Sequence, residues 1–234
     1  LAVIVAVLAL TAAKAVNANT RRVPAYRVET AEKQVAVTFN AAWGDETTDA
    51  VLALLDDYDI KATFFFVGTF AEKYPESVKK IANAGHEIAN HSMRHTDPTK
   101  QTYAEIAADI SECNDLLFSL TGAKPALYRA PAGAYDNNTI EAAESLGMTA
   151  IQWSADSVDW KNPSPEKIKE RILSKTEAGG ILLFHLGKEN TVQALPEIIE
   201  TLQNECYTFV TVSALLPEGE RAVDRNGVVR AGDG

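Results

Sequence analysis

The chain has 234 residues, of which 46% are hydrophobic and 23% charged, and this ordinary globular composition excludes disordered, collagen-like and coiled-coil chains. Its 22 basic and 32 acidic residues give a formal net charge of -10, which argues against nucleic acid as a partner. Two cysteines are too few for a disulfide scaffold. No linker rich in Pro, Gly or Ser divides the sequence, so we expect one α/β unit.

The first residues differ in composition from the rest. Residues 1–13 form an almost unbroken apolar run, shorter than the ~20 residues that span a bilayer. We interpret residues 1–18 as the remnant of a signal peptide or signal anchor, with a docked N-terminal helix as the alternative. Residues 19–32 are then an N-terminal extension. This interpretation predicts an exported protein of the cell envelope or extracellular space, in contact with a membrane only through its first segment.

From residue 33 onward, short β-branched or aromatic runs alternate with amphipathic segments that start at capping residues or proline and end at glycine. The predicted strands cover residues 35–39, 62–67, 87–90, 127–129, 148–153, 181–184 and 207–212. The predicted helices cover residues 47–58, Pro75 to Gly85, Tyr103 to Gly122, 138–146, Pro165 to Gly179 and 192–204. Residues 217–234 are expected to be a polar, peripheral C-terminal tail.

Strands that alternate with helices imply right-handed crossovers and a parallel sheet. An open doubly wound sheet and a closed barrel both satisfy the pattern. The chain length and the seven strands favour an incomplete (β/α) barrel over residues 33–216. In either fold, the chemistry is expected beyond the carboxyl ends of the strands.

Polar clusters follow five of the predicted strands, so three of the four histidines, His91, His95 and His185, should meet at one rim. His91 and His95 are four residues apart, a spacing that brings two imidazoles within reach of one ion. Two imidazoles and a carboxylate suit Zn²⁺, with Co²⁺, Ni²⁺ or Fe²⁺ as alternatives. A divalent metal with an open position would activate water for hydrolysis.

Five motifs follow one another along the chain: T-F at 38–39, H-S-x-x-H at 91–95, R-x-P-x-G at 129–133, D-x-x-D-W at 156–160 and L-x-H at 183–185. This ordered set resembles the polysaccharide deacetylases of carbohydrate esterase family 4, the NodB homology domain, over residues 33–213. Residues 43–46 are most similar to the sporulation-type, PdaB-like branch. The resemblance implies a distorted (β/α) barrel over residues 33–216. It also implies a metal-dependent hydrolase that removes N-acetyl or O-acetyl groups from an envelope or cell-wall polysaccharide, such as peptidoglycan or chitin-like oligomers.

The resemblance assigns a role to each matching residue. His91 and His95 match the metal ligands, and Ser92 matches the hydroxyl that braces the loop between them. His185 matches the general acid, Asp159 the carboxylate that orients it, and Arg129 the cation that tunes the base. The residues expected to contact the substrate are Trp160, Leu183, Pro131, Ala132, Tyr135 and Trp43.

The first motif departs from the family pattern, which usually has two aspartates there, one as base and one as metal ligand. This chain has Asn40 and Ala41; an amide takes no proton at neutral pH and a methyl group binds no metal. Asp45, in the same loop, is the candidate replacement as base or ligand, with Glu46 as the weaker one. The alternative is that Asp45 only stabilises the start of the following helix. In the third motif, Ala132 stands where the family usually has tyrosine.

These residues leave two main functional hypotheses. The first is a metal-dependent deacetylase acting on an acetylated polysaccharide. The second is a catalytically impaired pseudoenzyme, with Asn40 in place of the catalytic aspartate, that retains metal or glycan binding. Another amide hydrolase on the same barrel is a third possibility. We expect the protein to be a monomer.

Overall fold

The computed structural model describes residues 21–232. In that part of the chain, helices pack against the outer face of a single curled sheet. The strands are β1 (Arg27–Val28), β2 (Gln34–Ala41), β3 (Thr63–Phe66), β4 (Glu87–Asn90), β5 (Leu127–Tyr128), β6 (Thr149–Ala150), β7 (Ala155–Asp156), β8 (Gly180–His185), β9 (Thr208–Phe209), β10 (Arg221–Val223) and β11 (Val228–Ala231). The helices are α1 (Thr48–Asp57), α2 (Gly68–Lys73), α3 (Pro75–Asn83), α4 (Tyr103–Thr121), α5 (Asn137–Ser145), α6 (Pro165–Leu173), α7 (Glu189–Asn204) and α8 (Val212–Leu215).

The strand order is β10-β11-β1-β8-β2-β3-β4-β5-β6, with β7 also paired to β8 and β9 to β2. All pairs from β2 to β6, and those of β8 with β2 and β7, are parallel. Ala25 forms a parallel bridge with Ile151, and the chain then continues into β1 beside β8. This segment links the two sides of the curled sheet, which is a distorted, incomplete (β/α) barrel as predicted.

Side chains alternate between the two faces of each strand and thereby determine which residues reach the interior. On β2, Val37 and Phe39 pack into the large apolar cluster under the helices, whereas Thr38 and Asn40 contact Arg129 inside the barrel. Asn40 is in register with His185 on β8. The two residues therefore lie side by side at the carboxyl end of the sheet, where the sequence placed the chemistry.

Most predicted strands and helices are present, with ends shifted by a few residues. The strands expected at 148–153 and 207–212 shrink to the two-residue strands β6 and β9. Helix α2 was not expected; it follows β3 almost directly and buries Phe70 and Ala71. Two short helices, α2 and α3, thus lie between β3 and β4, where a single helix was predicted.

The C-terminal segment belongs to the sheet, which corrects the expectation of a peripheral tail. Strands β10 and β11 form an antiparallel hairpin, and β11 pairs in parallel with β1, inside the expected N-terminal extension. Asp224 Oδ1 accepts hydrogen bonds from the backbone N–H groups of Asn226 and Val228 in the hairpin turn. The expectation failed because residues 217–232 bury only two side chains, those of Val228 and Val229.

The predicted signal segment at residues 1–18 lies outside the described residues. Within residues 21–232, we find no helix of the length and apolarity needed to cross a bilayer.

Candidate active site

A cavity of about 320 Å³ opens at the carboxyl ends of the parallel strands, large enough for one substituted sugar unit. Eight of the residues singled out from the sequence line it: Asn40, Trp43, His91, His95, Ala132, Trp160, Leu183 and His185. Four others line it as well: Ala42, Gly133, Trp153 and Asp156. The three histidines therefore converge as the strand order predicted.

His185 and Asp159 form a buried hydrogen-bonded pair on one wall of the cavity. His185 Nδ1 donates to Asp159 Oδ1 at 2.6 Å, which leaves Nε2 as the ring atom available to a ligand. The other carboxylate oxygen, Oδ2, accepts from the backbone N–H of His185 at 2.8 Å and from Thr191 Oγ1 at 2.7 Å. Burial disfavours the charged carboxylate, but the hydrogen bonds from His185 and Thr191 outweigh it and hold the pKa of Asp159 below its ordinary value. The carboxylate therefore stays ionised and fixes the imidazole.

His91 and His95 lie together at the cavity, with ring centroids 5.0 Å apart. His91 Nδ1 lies 2.7 Å from the carbonyl oxygen of Arg129 and, because a carbonyl only accepts, Nδ1 carries the proton. Burial, and then the neighbouring His95, hold the pKa of His91 well below its ordinary value. Burial, followed by the charge of His185, also lowers the pKa of His95. Both rings are therefore neutral at neutral pH, with a nitrogen of His91 open toward the cavity.

The loop that carries these histidines is held in a strained conformation. Ser92 and His95 have positive φ angles of 75° and 54°, as do Ala132 at 53° and Val158 at 55° in two other loops at this end of the barrel. Ser92 Oγ accepts from the backbone N–H groups of Arg94 and His95, at 3.3 and 3.1 Å. Left-handed backbone at residues other than glycine is costly and concentrates at functional sites, where surrounding contacts impose it.

Arg129 is fully buried beneath Asn40. Its Nη1 donates to Thr38 Oγ1 at 3.0 Å and to Asn40 Oδ1 at 2.9 Å. Its Nη2 donates to the carbonyl oxygen of Gln152 at 3.1 Å, and the guanidinium lies 3.8 Å from the ring centre of Phe65. In the described chain it has no carboxylate partner within ion-pair distance and its Nε has no hydrogen-bond partner, while burial lowers the pKa of Arg129 to about 9.

Asp45 does not join the histidines. Its Oδ2 accepts a hydrogen bond from Ser77 Oγ of α3 at 2.6 Å, and neither Asp45 nor Glu46 lines the cavity. The position of Asp45 therefore does not support its predicted role as replacement base or ligand. Its backbone carbonyl accepts from the N–H of Thr48 at 2.9 Å. The stabilisation of the start of α1 by its carboxylate, the alternative role, stays a prediction.

The residues present do not complete the predicted divalent-metal site. Within residues 21–232, no three His, Cys, Asp or Glu side chains are placed to hold one ion. His91 and His95 offer two nitrogen ligands, whereas a catalytic zinc site has three protein ligands. Ala41, at the position of the usual second aspartate, is fully buried in the apolar cluster under the helices. Zn²⁺, Co²⁺, Ni²⁺ or Fe²⁺ would therefore find an incomplete donor set.

Two of the predicted substrate contacts are displaced from the cavity. Pro131 is buried and does not line it. Tyr135 turns toward the N-terminal segment, where its hydroxyl lies 3.3 Å from that of Tyr26. The sequence reasoning passed over Trp153 and Asp156, although both belong to the polar cluster after the fifth predicted strand. Both follow the carboxyl end of a predicted strand, and this position is the same signal that identified the other cavity residues.

The sequence profile of the polysaccharide deacetylase family matches residues 27–151, more than half of the chain. The chain belongs to the polysaccharide deacetylase family. It is 35% identical over 201 residues to a peptidoglycan-N-acetylglucosamine deacetylase of Bacillus cereus, with 82% of this chain and 92% of the relative covered. It is 32% identical to the uncharacterized protein YlxY of Bacillus subtilis, of which it spans 61% while 83% of this chain is covered.

A solved structure with the same fold is that of a pseudoenzyme of carbohydrate esterase family 4 from Bacillus anthracis. The TM-score is 0.81 at 31% identity, with 84% of this chain and 70% of the neighbour covered. A mutant of that protein, with a TM-score of 0.80 at 31% identity and coverage of 84% and 73%, is described as having restored enzymatic activity. The fold is therefore shared with a protein described as a pseudoenzyme and with its mutant described as having restored enzymatic activity.

Proposed function

We propose that the protein binds an N-acetylated sugar of a cell-wall polysaccharide in the cavity and hydrolyses its acetamide at a low rate. The observation that carries this proposal is the His185–Asp159 pair at 2.6 Å, which supplies a positioned proton donor next to an apolar wall. Family membership and the relative that deacetylates peptidoglycan N-acetylglucosamine support the choice of substrate. A protein with this function would act in the envelope or outside the cell.

In this proposal, the His185–Asp159 pair supplies the proton that the leaving amine needs. Hydrolysis of an acetamide expels an amine, which must gain a proton as its bond to the acyl carbon breaks. Protonated His185 would donate that proton from Nε2, and the ionised Asp159 would stabilise the imidazolium. Leu183 and Trp160 would enclose the acetyl methyl group. Such general acid catalysis contributes about 10²- to 10⁴-fold to the rate.

In this proposal, the activation of the attacking water lacks a carboxylate base. Asn40 stands where a carboxylate base is expected, and its Oδ1 already accepts a hydrogen bond from Arg129. A base usually contributes a further 10²- to 10⁴-fold, so we propose turnover slower by about that factor than in a relative with an aspartate at this position. No step is assigned to a metal, because the described donor set is incomplete.

Acetate release from N-acetylated peptidoglycan fragments and chito-oligosaccharides tests this function. We expect slow release by the wild type, none by His185→Gln, and an increase of at least about tenfold in Asn40→Asp. Unchanged melting temperatures would establish that both variants are folded. Release that persists undiminished in His185→Gln would contradict the assignment of His185 as proton donor.

The second candidate function is that of a glycan-binding pseudoenzyme. Two contacts favour it: Arg129 is bonded to an amide, and Asp45 is engaged by Ser77. The neighbour from Bacillus anthracis described as a pseudoenzyme supports it as well. Two measurements distinguish the candidates. A pseudoenzyme binds the oligosaccharides in calorimetry but releases no acetate. It gains activity only when Asn40→Asp and Ala41→Asp are combined.

The finer predictions form part of this proposal. They are an exported protein with residues 1–18 as signal peptide or anchor, a deacetylase domain over residues 33–216, a sporulation-type role and a monomer.

A further inference from the structure

Asn40 places an amide of the chain itself inside a cavity whose proposed activity is amide hydrolysis. It lies near the carboxyl end of β2 and lines the cavity, with 5% of its surface exposed. Its Oδ1 accepts from Arg129 Nη1 at 2.9 Å, and this fixes the orientation of the amide because a guanidinium only donates. Its Nδ2 is accessible to water and has no hydrogen-bond partner among the described residues. Water in the cavity can therefore reach the nitrogen end of this amide.

The guanidinium of Arg129 polarises this amide. When water adds to an amide carbon, negative charge develops on the carbonyl oxygen, and a hydrogen-bond donor placed there stabilises it. Arg129 is fully buried, where a charged donor acts more strongly than in water. The charge of Asp156 acts on it only from beyond ion-pair distance, and no other described carboxylate pairs with it. Oδ1 of Asn40 therefore has the donor that a reacting amide needs.

His185 is placed to transfer protons at the same amide. Asn40 and His185 are in register on the paired parallel strands β2 and β8, and both side chains line the cavity. Residues in register on neighbouring strands project from the same face of a sheet. Because Nδ1 of His185 is bonded to Asp159 Oδ1 at 2.6 Å, Nε2 is the ring atom available for proton transfer. A base and acid thus lies beside the amide.

We propose that the cavity hydrolyses the side-chain amide of Asn40 and converts this residue to aspartate. Water forms a bond to Cγ and gives a proton to His185 Nε2, while the carbonyl electron pair moves onto Oδ1 beside Arg129. The pair then returns, the Cγ–Nδ2 bond breaks, and His185 passes the proton to the leaving nitrogen. In sum, the amide and one water become a carboxylate and an ammonium ion.

This conversion would supply the carboxylate base that the cavity lacks. The product carboxylate would also face Arg129, and this charge-assisted hydrogen bond favours the product over the amide. The inference rests on the proposed amide-hydrolysing function and extends it to a residue of the chain itself. It makes the activity of the protein increase with the fraction of molecules converted.

Ordinary deamidation follows a different route, which the sheet opposes at Asn40. In a flexible chain, the backbone nitrogen of the next residue attacks Cγ, and the cyclic imide that forms opens to a mixture of aspartate and isoaspartate. Asn40 and Ala41 are both paired with β3, and Asn40 is also paired with β8. Ring closure would have to break this ladder. Hydrolysis by the cavity therefore gives aspartate without isoaspartate.

Two other asparagines provide internal controls. Asn226 is exposed in the hairpin turn and precedes Gly227, whose lack of a side chain leaves the ordinary route unhindered. Asn90 is fully buried; its Nδ2 donates two hydrogen bonds, at 2.9 and 2.8 Å, and its Oδ1 accepts one at 2.7 Å. We expect isoaspartate to form at Asn226 and no change at Asn90.

Peptide mapping by mass spectrometry of the folded wild type, incubated in heavy-oxygen water, tests the inference. We expect Asn40 to gain one heavy oxygen and become aspartate without isoaspartate, at least about tenfold faster than in the same chain unfolded in denaturant. His185→Gln, with its folding checked by melting temperature, should slow the conversion at least about tenfold and leave that of Asn226 unchanged. Acetate release from N-acetylated glycan fragments should rise with the converted fraction.

The outcomes separate this inference from the proposed function. Isoaspartate at position 40, or an equal rate of conversion in His185→Gln, would overturn the inference. An unchanged Asn40 in protein that releases acetate would overturn it alone. Conversion to aspartate without any acetate release from the glycans would overturn the proposed function and leave the inference standing. An unchanged Asn40 together with no acetate release would overturn both.

Discussion

The fully buried Arg129 donates a hydrogen bond from Nη1 to Oδ1 of Asn40 at 2.9 Å, so a guanidinium inside the barrel faces an amide. Hydrogen bonds to neutral groups replace part of the lost water around this guanidinium, but a buried charge without an ion pair is still costly. The low pKa of Arg129, about 9, reflects the same burial. The amide at position 40 therefore leaves this buried cation without an ion-pair partner among the described residues.

Asn40→Asp is expected to stabilise the fold as well as to raise activity. A carboxylate at this position would accept a charge-assisted hydrogen bond from Arg129, and we expect the free energy of unfolding to rise by about 1–3 kcal/mol. Denaturant unfolding at neutral pH measures it. Asn40→Leu is the control: it removes the hydrogen-bond acceptor of Arg129 and should lower the free energy of unfolding. A fall in stability in Asn40→Asp would show that the guanidinium does not pair with the new carboxylate.

Asp159→Asn is expected to reduce acetate release by about 10²-fold or more, because the amide no longer stabilises the imidazolium of His185. Thr191→Val provides a matched comparison: it removes one hydrogen bond to the same carboxylate, from Thr191 Oγ1 at 2.7 Å, and keeps the charge. We expect that variant to lose about 1 kcal/mol of stability and little activity. Rates measured on the N-acetylated fragments separate the two effects; equal rates in both variants would contradict a role for the charge.

Zn²⁺ titration by calorimetry tests the location of Asp45. Because Asp45 bonds to Ser77, Asp45→Asn should leave Zn²⁺ affinity within about twofold of the wild type. His91→Ala should lower it by at least about tenfold, since even the outer partners of metal ligands contribute that much. A loss in Asp45→Asn as large as in His91→Ala would place the carboxylate on the ion in solution.

His86 is expected to make the fold sensitive to mild acid. Burial lowers the pKa of His86 to about 4 from its ordinary 6.5, and its Nδ1 accepts a hydrogen bond from the N–H of Ala62 at 3.2 Å. Between these two pH values the unfolded chain binds a proton that the folded chain does not, so stability falls as the pH drops from 6.5 to 4. Unfolding free energies across this range should fall less steeply in His86→Gln. An identical slope in the variant would contradict this assignment.

The rim of the cavity was predictable from the sequence because parallel strands deliver their carboxyl ends to one edge. His91, His95, His185 and Asn40 could therefore be placed before any geometry was known. Asp45 could not, since the direction of its side chain depends on Ser77, 32 residues further along the chain. The C-terminal hairpin was missed because β11 has only two buried residues among four and its partner β1 is only two residues long.

The bridge between Ala25 and Ile151 has a consequence for how the barrel comes apart. Strand β1 follows this bridge and lies between β8 and β11, so segments from both ends of the described chain form a single seam. Contacts between residues so distant in sequence form late in folding, because the chain entropy of closing long loops must be overcome first. We therefore expect the barrel to unfold first at this seam. Truncation of the described chain at either end would destabilise the same side of the barrel.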